Sequence, residues 1–200
     1  MSVGSIVKTI TLGNEATTST ESWTAGNVMR TPVDLAAGKA AVLTTRTGHT
    51  EGTFTTSAAH GYTTATTFAV HWSTGVRYGM TASSASGSSI ALTGGAGDNL
   101  PTQTSAVTVC SETILDFVFD GADVKLLVAH STYAAHVAFR TVTPTVELAV
   151  TLVADIAYEW SYGDGFANPL TGDSIVTVVI SNGTVYAAKF VLGVVKTATA

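Results

Sequence analysis

Five histidines, one cysteine and a scatter of carboxylates are the groups in this 200-residue chain with reactive or metal-binding chemistry. A zinc site needs three or four convergent ligands, usually with one close pair. His130 and His136 stand six residues apart across an expected turn, while His49, His60 and His71 are isolated. The ring of His60, just before Gly61, is placed to cap a local backbone group. His71 alternates with Val70 and Trp72 and is expected on the less buried face of a strand. Acid–base catalysis needs two carboxylates facing one cleft. The nearest pairs in sequence are Asp155 with Glu159 and Asp164 with Asp173, and the latter two sit in turn contexts, Gly163-Asp-Gly165 and Gly172-Asp-Ser174. No Gly-x-Ser-x-Gly elbow presents a nucleophilic serine. Cys110 ends the run Ala106-Val-Thr-Val-Cys110 and reads as a small buried hydrophobe. No catalytic residue, cofactor or metal is expected.

The glycine run Gly94-Gly-Ala-Gly-Asp-Asn-Leu-Pro101 invites two ligand readings. A phosphate cradle opens a helix whose N-terminus meets the anion, and here Leu100-Pro101 follows instead. A calcium repeat of the Gly-Gly-x-Gly-x-Asp type requires tandem copies, and its last position is Asn99. The run is therefore expected to be a loop of residues at positive φ.

Tyr158, Trp160, Tyr162 and Phe166 form the one aromatic cluster, beside Asn168-Pro-Leu170. Aromatic rings next to polar loop residues stack on sugars in many carbohydrate-binding modules. The competing reading has Trp160 plugging one end of a core with the tyrosines at its rim. The core reading is the expectation, with the cluster kept as the possible ligand or interface site.

These groups must be carried by strands. Apolar and polar residues alternate in Ile6-Val-Lys-Thr-Ile-Thr-Leu12, and short β-prone runs recur along the chain with Gly, Ser, Asn and Pro between them. Residues 67–101 read as a three-stranded meander: strands at 68–72, 76–80 and 89–93, a Ser/Gly turn at 83–88, and the glycine loop. Asn182-Gly183 between two apolar runs is a strong hairpin signal. The flanking strands are nearly continuous in Val, Ile and Leu, so both their faces should be covered, by a second domain or another subunit. The expected fold is all-β: a discontinuous β-sandwich or jelly-roll-like domain of residues 1–34 and 111–200, with a small antiparallel barrel-like or meander module, 35–110, inserted.

Composition narrows the function classes. Hydrophobic residues make up 46% and charged residues 12%, so the polar surface is built of Thr, Ser and Gly and little repulsion opposes association. The nine basic residues are scattered singly in a chain of net charge −5, which argues against nucleic-acid binding. No apolar run approaches the ~20 residues of a spanning helix. The opening MSVGSIVKTI lacks the form of a secretory signal, and a single cysteine suits a reducing cytosol.

Two stretches resemble virion proteins of tailed bacteriophages. The first, residues 35–109, carries Ala36-Ala-Gly-Lys39, Leu43-Thr-Thr-Arg-Thr47, His60-Gly61, Val70-His-Trp72, Gly75-Val-Arg-Tyr-Gly-Met80 and the glycine run. The second carries Trp160, Asn168-Pro-Leu170 with Gly172-Asp173, and Ser181-Asn-Gly183, and is similar to small β-sandwich proteins of phage heads and tails. The resemblance implies a non-enzymatic virion component, a capsid decoration or auxiliary head protein, with a tail or baseplate component as the alternative. It implies assembly in the host bacterial cytoplasm, with copies of itself and the phage major capsid protein or tail proteins as partners. A carbohydrate-binding or adhesion module is the reading from another class.

Overall fold

The computed structural model describes residues 3–12, 15–24, 28–115, 118–141, 146–161, 165–170 and 174–196. Among the described residues the strands run in the order β1 Val3–Leu12, β2 Glu15–Thr24, β3 Val28–Leu35, β4 Lys39–Arg46, β5 Glu51–Thr56, β6 Thr67–Trp72, β7 Gly75–Ser86, β8 Ser89–Gly97, β9 Ala106–Ser111, β10 Thr113–Leu115, β11 Phe119–Asp120, β12 Val124–Ser131, β13 Ala135–Thr141, β14 Val146–Leu152, β15 Tyr158–Ser161, β16 Ser174–Asn182 and β17 Ala188–Lys196. A short 3-10 turn, Gly121–Asp123, interrupts them, capped by the Asp120 side chain accepting from Ala122 N–H. The protein is all-β, and its described strand pairs are antiparallel.

Strands β4-β5-β8-β7-β6-β9 close into a six-stranded barrel. Its closure follows from β4 pairing with both β5 and β9, and β6 with both β7 and β9. Alternate residues point inward, and Leu43, Phe54, Phe68, Val70, Met80, Ile90, Leu92 and Val109 fill the interior. Two tight connections set the register. Ser73-Thr74 links Trp72 to its partner Gly75, and Gly87-Ser88 links Ser86 to Ser89. The expected turn at 83–88 is thus mostly strand, and β8 runs on into the glycine run as far as Gly97, opposite Arg77 of its partner β7.

The second body is a two-sheet sandwich. One sheet has the order β10-β16-β13-β14, with β11 on the other half of the β10 side of β16; the other is β15-β12-β17-β3. Phe119, Leu127, Val137, Phe139, Trp160, Ile180, Phe190 and Leu192 interlock between them. From the N-terminal segment, β3 joins the sandwich along β17, with Val33 opposite Phe190. Strand β1, expected to join the C-terminal strands, pairs instead with β2 in a separate two-stranded sheet, Val3 opposite Thr24.

The Asn182-Gly183 signal does not make a hairpin. Strands β16 and β17 lie in opposite sheets, and residues 183–187 arch from one to the other. The Asn182 side chain holds this arch: its amide donates to the carbonyls of Ala36 and Tyr186, and its oxygen accepts from Thr184 N–H. The apolar character of β16 is explained within the chain. Val178 and Ile180 face the sandwich core, while Val179 and Ser181 are buried on the opposite side of the strand, where the barrel docks.

Candidate functional site

Residues two apart on a strand share a face. On β13, His136, Ala138 and Arg140 lie opposite Ser181, Val179 and Thr177 of β16 and turn toward the barrel. Facing them are Ala69 and His71 of β6, Tyr78 of β7 and Cys110 of β9. The seam has a small apolar centre of Ala69, Tyr78, Cys110 and Ala138, with polar contacts around it.

His71 Nε2 lies 2.9 Å from Ser181 Oγ. The Tyr78 and His136 rings stack with centroids 4.3 Å apart. Glu112 Oε1 accepts from Gly79 N–H, at 2.6 Å. A backbone bond from Gly38 N–H to Thr184 O ties the entry to the barrel to the arch, and Gly183 N–H donates to Ala134 O within the sandwich. Glu112 Oε2 and Arg140 Nε are buried in the same region without a protein partner among the described residues.

Burial governs the electrostatics. Desolvation, and then the neighbouring His136, lowers His71 to about 4. Desolvation, and then Arg140, lowers His136 to about 4 as well. Burial pushes the Cys110 thiol up to about 12, with Glu112 adding to it. Burial also raises the Glu112 carboxyl. Both imidazoles are therefore neutral near neutral pH, and the thiol is protonated. His71, placed by strand alternation on an open face, is 9% exposed because that face meets a second body.

A serine hydroxyl against an imidazole is the start of a nucleophilic constellation. Here Ser181 is 2% exposed and the Nδ1 edge of His71 abuts Gly183 rather than a carboxylate. The pair acts as a hydrogen-bonded pin between barrel and sandwich.

The described members of the aromatic cluster split between core and surface. Trp160, opposite Leu127 on β12, is 6% exposed and belongs to the sandwich core; Tyr158 is half-buried against the same core. Phe166 is 76% exposed, and Tyr162 lies outside the described residues. Trp160 is thus a core plug and offers no face to a sugar. Asp155 and Glu159 are exposed, and Asp164 and Asp173 lie outside the described residues. Among the described residues no group of three His, Cys, Asp or Glu is placed to hold a metal, and no helix is long and apolar enough to cross a membrane.

The glycine run has a structural use that its sequence did not disclose. Gly94, Gly95 and Gly97 adopt φ of 78°, 73° and 96°, and their carbonyls wrap the Arg77 guanidinium. Nε donates to Gly94 O at 2.6 Å, Nη2 to Gly95 O at 2.7 Å and Nη1 to Asp98 O at 2.9 Å. The Asp98 carboxylate accepts from Val76 N–H. A cation is held here, but it belongs to the chain.

One end of the sandwich is unusually apolar. Tyr133, Val153, Ile156, Val185 and Tyr186 are exposed there on three turns. Asp155 N–H donates to Ser131 O, Thr132 N–H donates to Lys189 O, and the Tyr133 and Tyr186 rings stack at 5.5 Å, so the turns form one surface.

Comparison with protein-family models, with curated proteins and with solved structures finds no match for this chain.

Proposed function

We propose that this chain is a non-enzymatic structural subunit of a tailed-bacteriophage virion, a capsid decoration or auxiliary head protein that works by assembling with its own copies and with the shell. The observation that carries the assembly reading is the apolar end of the sandwich, where Ile156 and Tyr186 are 60% and 61% exposed beside Tyr133, Val153 and Val185. Exposed apolar surface on contiguous turns marks a contact site. The low charge of the chain removes the repulsion that would oppose such a contact. The β1–β2 sheet adds a second element: a two-stranded sheet is marginal alone in water and presents strand edges to a neighbouring chain. The placement in a virion rests on the resemblance of residues 35–109 and of the Trp160 and Asn168-Pro-Leu170 motifs.

The test has two parts. Sedimentation of the purified chain over a concentration series should show self-association that the double variant Ile156→Lys/Tyr186→Lys abolishes. Antibody labelling of phage particles whose genome encodes the chain should mark the head. Labelling of the tail would move the protein to the tail, and a monomeric chain missing from particles would overturn the proposal.

A further inference from the structure

The barrel carries a cleft at the mouth between β6, β9 and the loop after β8. Trp72, Ser73, Thr74, Asn99, Pro101, Thr102, Ser105 and Ala106 line a space of about 600 Å³. A second space of about 330 Å³ shares Trp72, Ser73 and Ala106 with it and continues past His71 and Thr108 to Gly183. Together they form a groove of small-molecule size centred on one indole.

The indole is fixed in place. Its ring lies over Gly75, where a Cβ would fall 2.7 Å from Cζ2 and 2.9 Å from Cε2, and its inner side packs on the barrel core. The polar lining is hydroxyl and amide. Thr102 and Ser105 pair at 3.2 Å, which orients both, while Ser73, Thr74 and Asn99 make no side-chain hydrogen bond to another described residue. No Asp, Glu, Lys or Arg lines either space, and the one titratable group, His71, is neutral. The Asp98 carboxylate near the indole edge accepts from Val76 N–H, and a lining without charged side chains favours a neutral ligand over a phosphate, carboxylate or ammonium that needs charge-assisted bonds. An aromatic plane flanked by neutral donors and acceptors suits a ligand with one apolar face and a rim of hydroxyls.

We infer that this groove binds a neutral saccharide, its ring stacked on Trp72 and its hydroxyls bonded by Ser73, Thr74, Asn99 and the Thr102–Ser105 pair. This goes beyond the assembly reading and does not depend on it, since the residues assigned to the ligand all lie on the barrel and those of the apolar end on the sandwich.

The test is a glycan array of neutral and acidic oligosaccharides, followed by titration calorimetry with the best neutral hit and with cellotriose, maltotriose and chitotriose. The wild-type chain should bind at least one neutral glycan. Asn99→Ala and Thr74→Ala, both at exposed positions, should each weaken it about tenfold, and Trp72→Ala should abolish it. Thermal melting shows whether Trp72→Ala remains folded, and the two exposed-site variants decide the matter if it does not. No bound neutral glycan, binding of acidic glycans alone, or affinity unchanged in both exposed-site variants would overturn the inference.

Discussion

His71 of the barrel and Ser181 of the sandwich are hydrogen-bonded at 2.9 Å across 110 residues of chain, and both are buried. This contact pins two separately cored bodies together. Its partners are neutral, so the seam depends on His71 staying unprotonated.

Stability should therefore fall on mild acidification. His71 and His136 have folded-state values near 4, below the ordinary 6.5, so the unfolded chain takes up more protons between these limits. Their contribution is complete above about pH 6.5 and is lost as pH falls toward 4, on the order of 3 kcal/mol per imidazole. His71 faces His136 and Ser181; His136 faces Tyr78, with Arg140 and Asp98 acting on it. Glu112 has the opposite sign, since its raised carboxyl stabilises the fold at low pH and loses that effect as pH rises through its folded value. Urea midpoints should hold steady from pH 8 to 7 and drop below 6.5, and His71→Gln/His136→Gln should flatten the drop. An unchanged profile in that variant would assign the acid sensitivity elsewhere.

Cys110 gives the same seam a kinetic readout. Its thiol is buried between Ala69 and Ala138, with its pKa pushed up to about 12. Labelling by a thiol reagent should be slow in the native chain and should accelerate when the barrel is undocked, for example in Ser181→Ala. Rapid labelling of the native wild type would mean that the seam is open in solution.

Trp160→Ala removes a core side chain wedged against Leu127 and its neighbours, and should cost about 3–5 kcal/mol of unfolding free energy. Chemical denaturation measures this directly. A midpoint near that of wild type would show that the indole is not part of the core.

Asn182→Ala leaves the Ala36 carbonyl without its donor and Thr184 N–H without its acceptor, and removes the shorter of two bonds to the Tyr186 carbonyl. The site is buried, so the loss should be about 2–3 kcal/mol. Gly183→Ala should be worse for docking, because its Cβ would lie 2.9 Å from His71 Nδ1 and 3.1 Å from Ala134 O. Melting curves of both variants, combined with Cys110 labelling, separate loss of the arch from loss of the seam.

Self-association should resist salt. The apolar end offers Tyr, Val and Ile rather than ion pairs, so ionic strength has little to screen. Sedimentation at low and high salt should give similar association constants, and steep weakening by salt would point to a charged interface instead.

Strand identity was legible in the sequence because it is local. Alternation and Gly/Asn/Ser punctuation marked β6, β7, β8, β16 and β17, and positive φ in the glycine run followed from residue type. The core role of Trp160 was legible as well, its neighbours being strand formers. Pairing was legible only where strands are sequence neighbours, as in the β6-β7-β8 meander; the more distant partners were not. Asn182-Gly183 carries the local signature of a hairpin, yet the flanking strands belong to opposite sheets, because an Asx-held arch uses the same residue types to cross between layers. The continuous apolar run of β16 announced two covered faces but not the cover, which proved to be the chain's own barrel. The His71–Ser181 pin and the Trp72 groove each join residues made neighbours only by barrel closure and docking. No period or spacing encodes them, since they depend on which edges pair and which faces meet once the whole chain has folded.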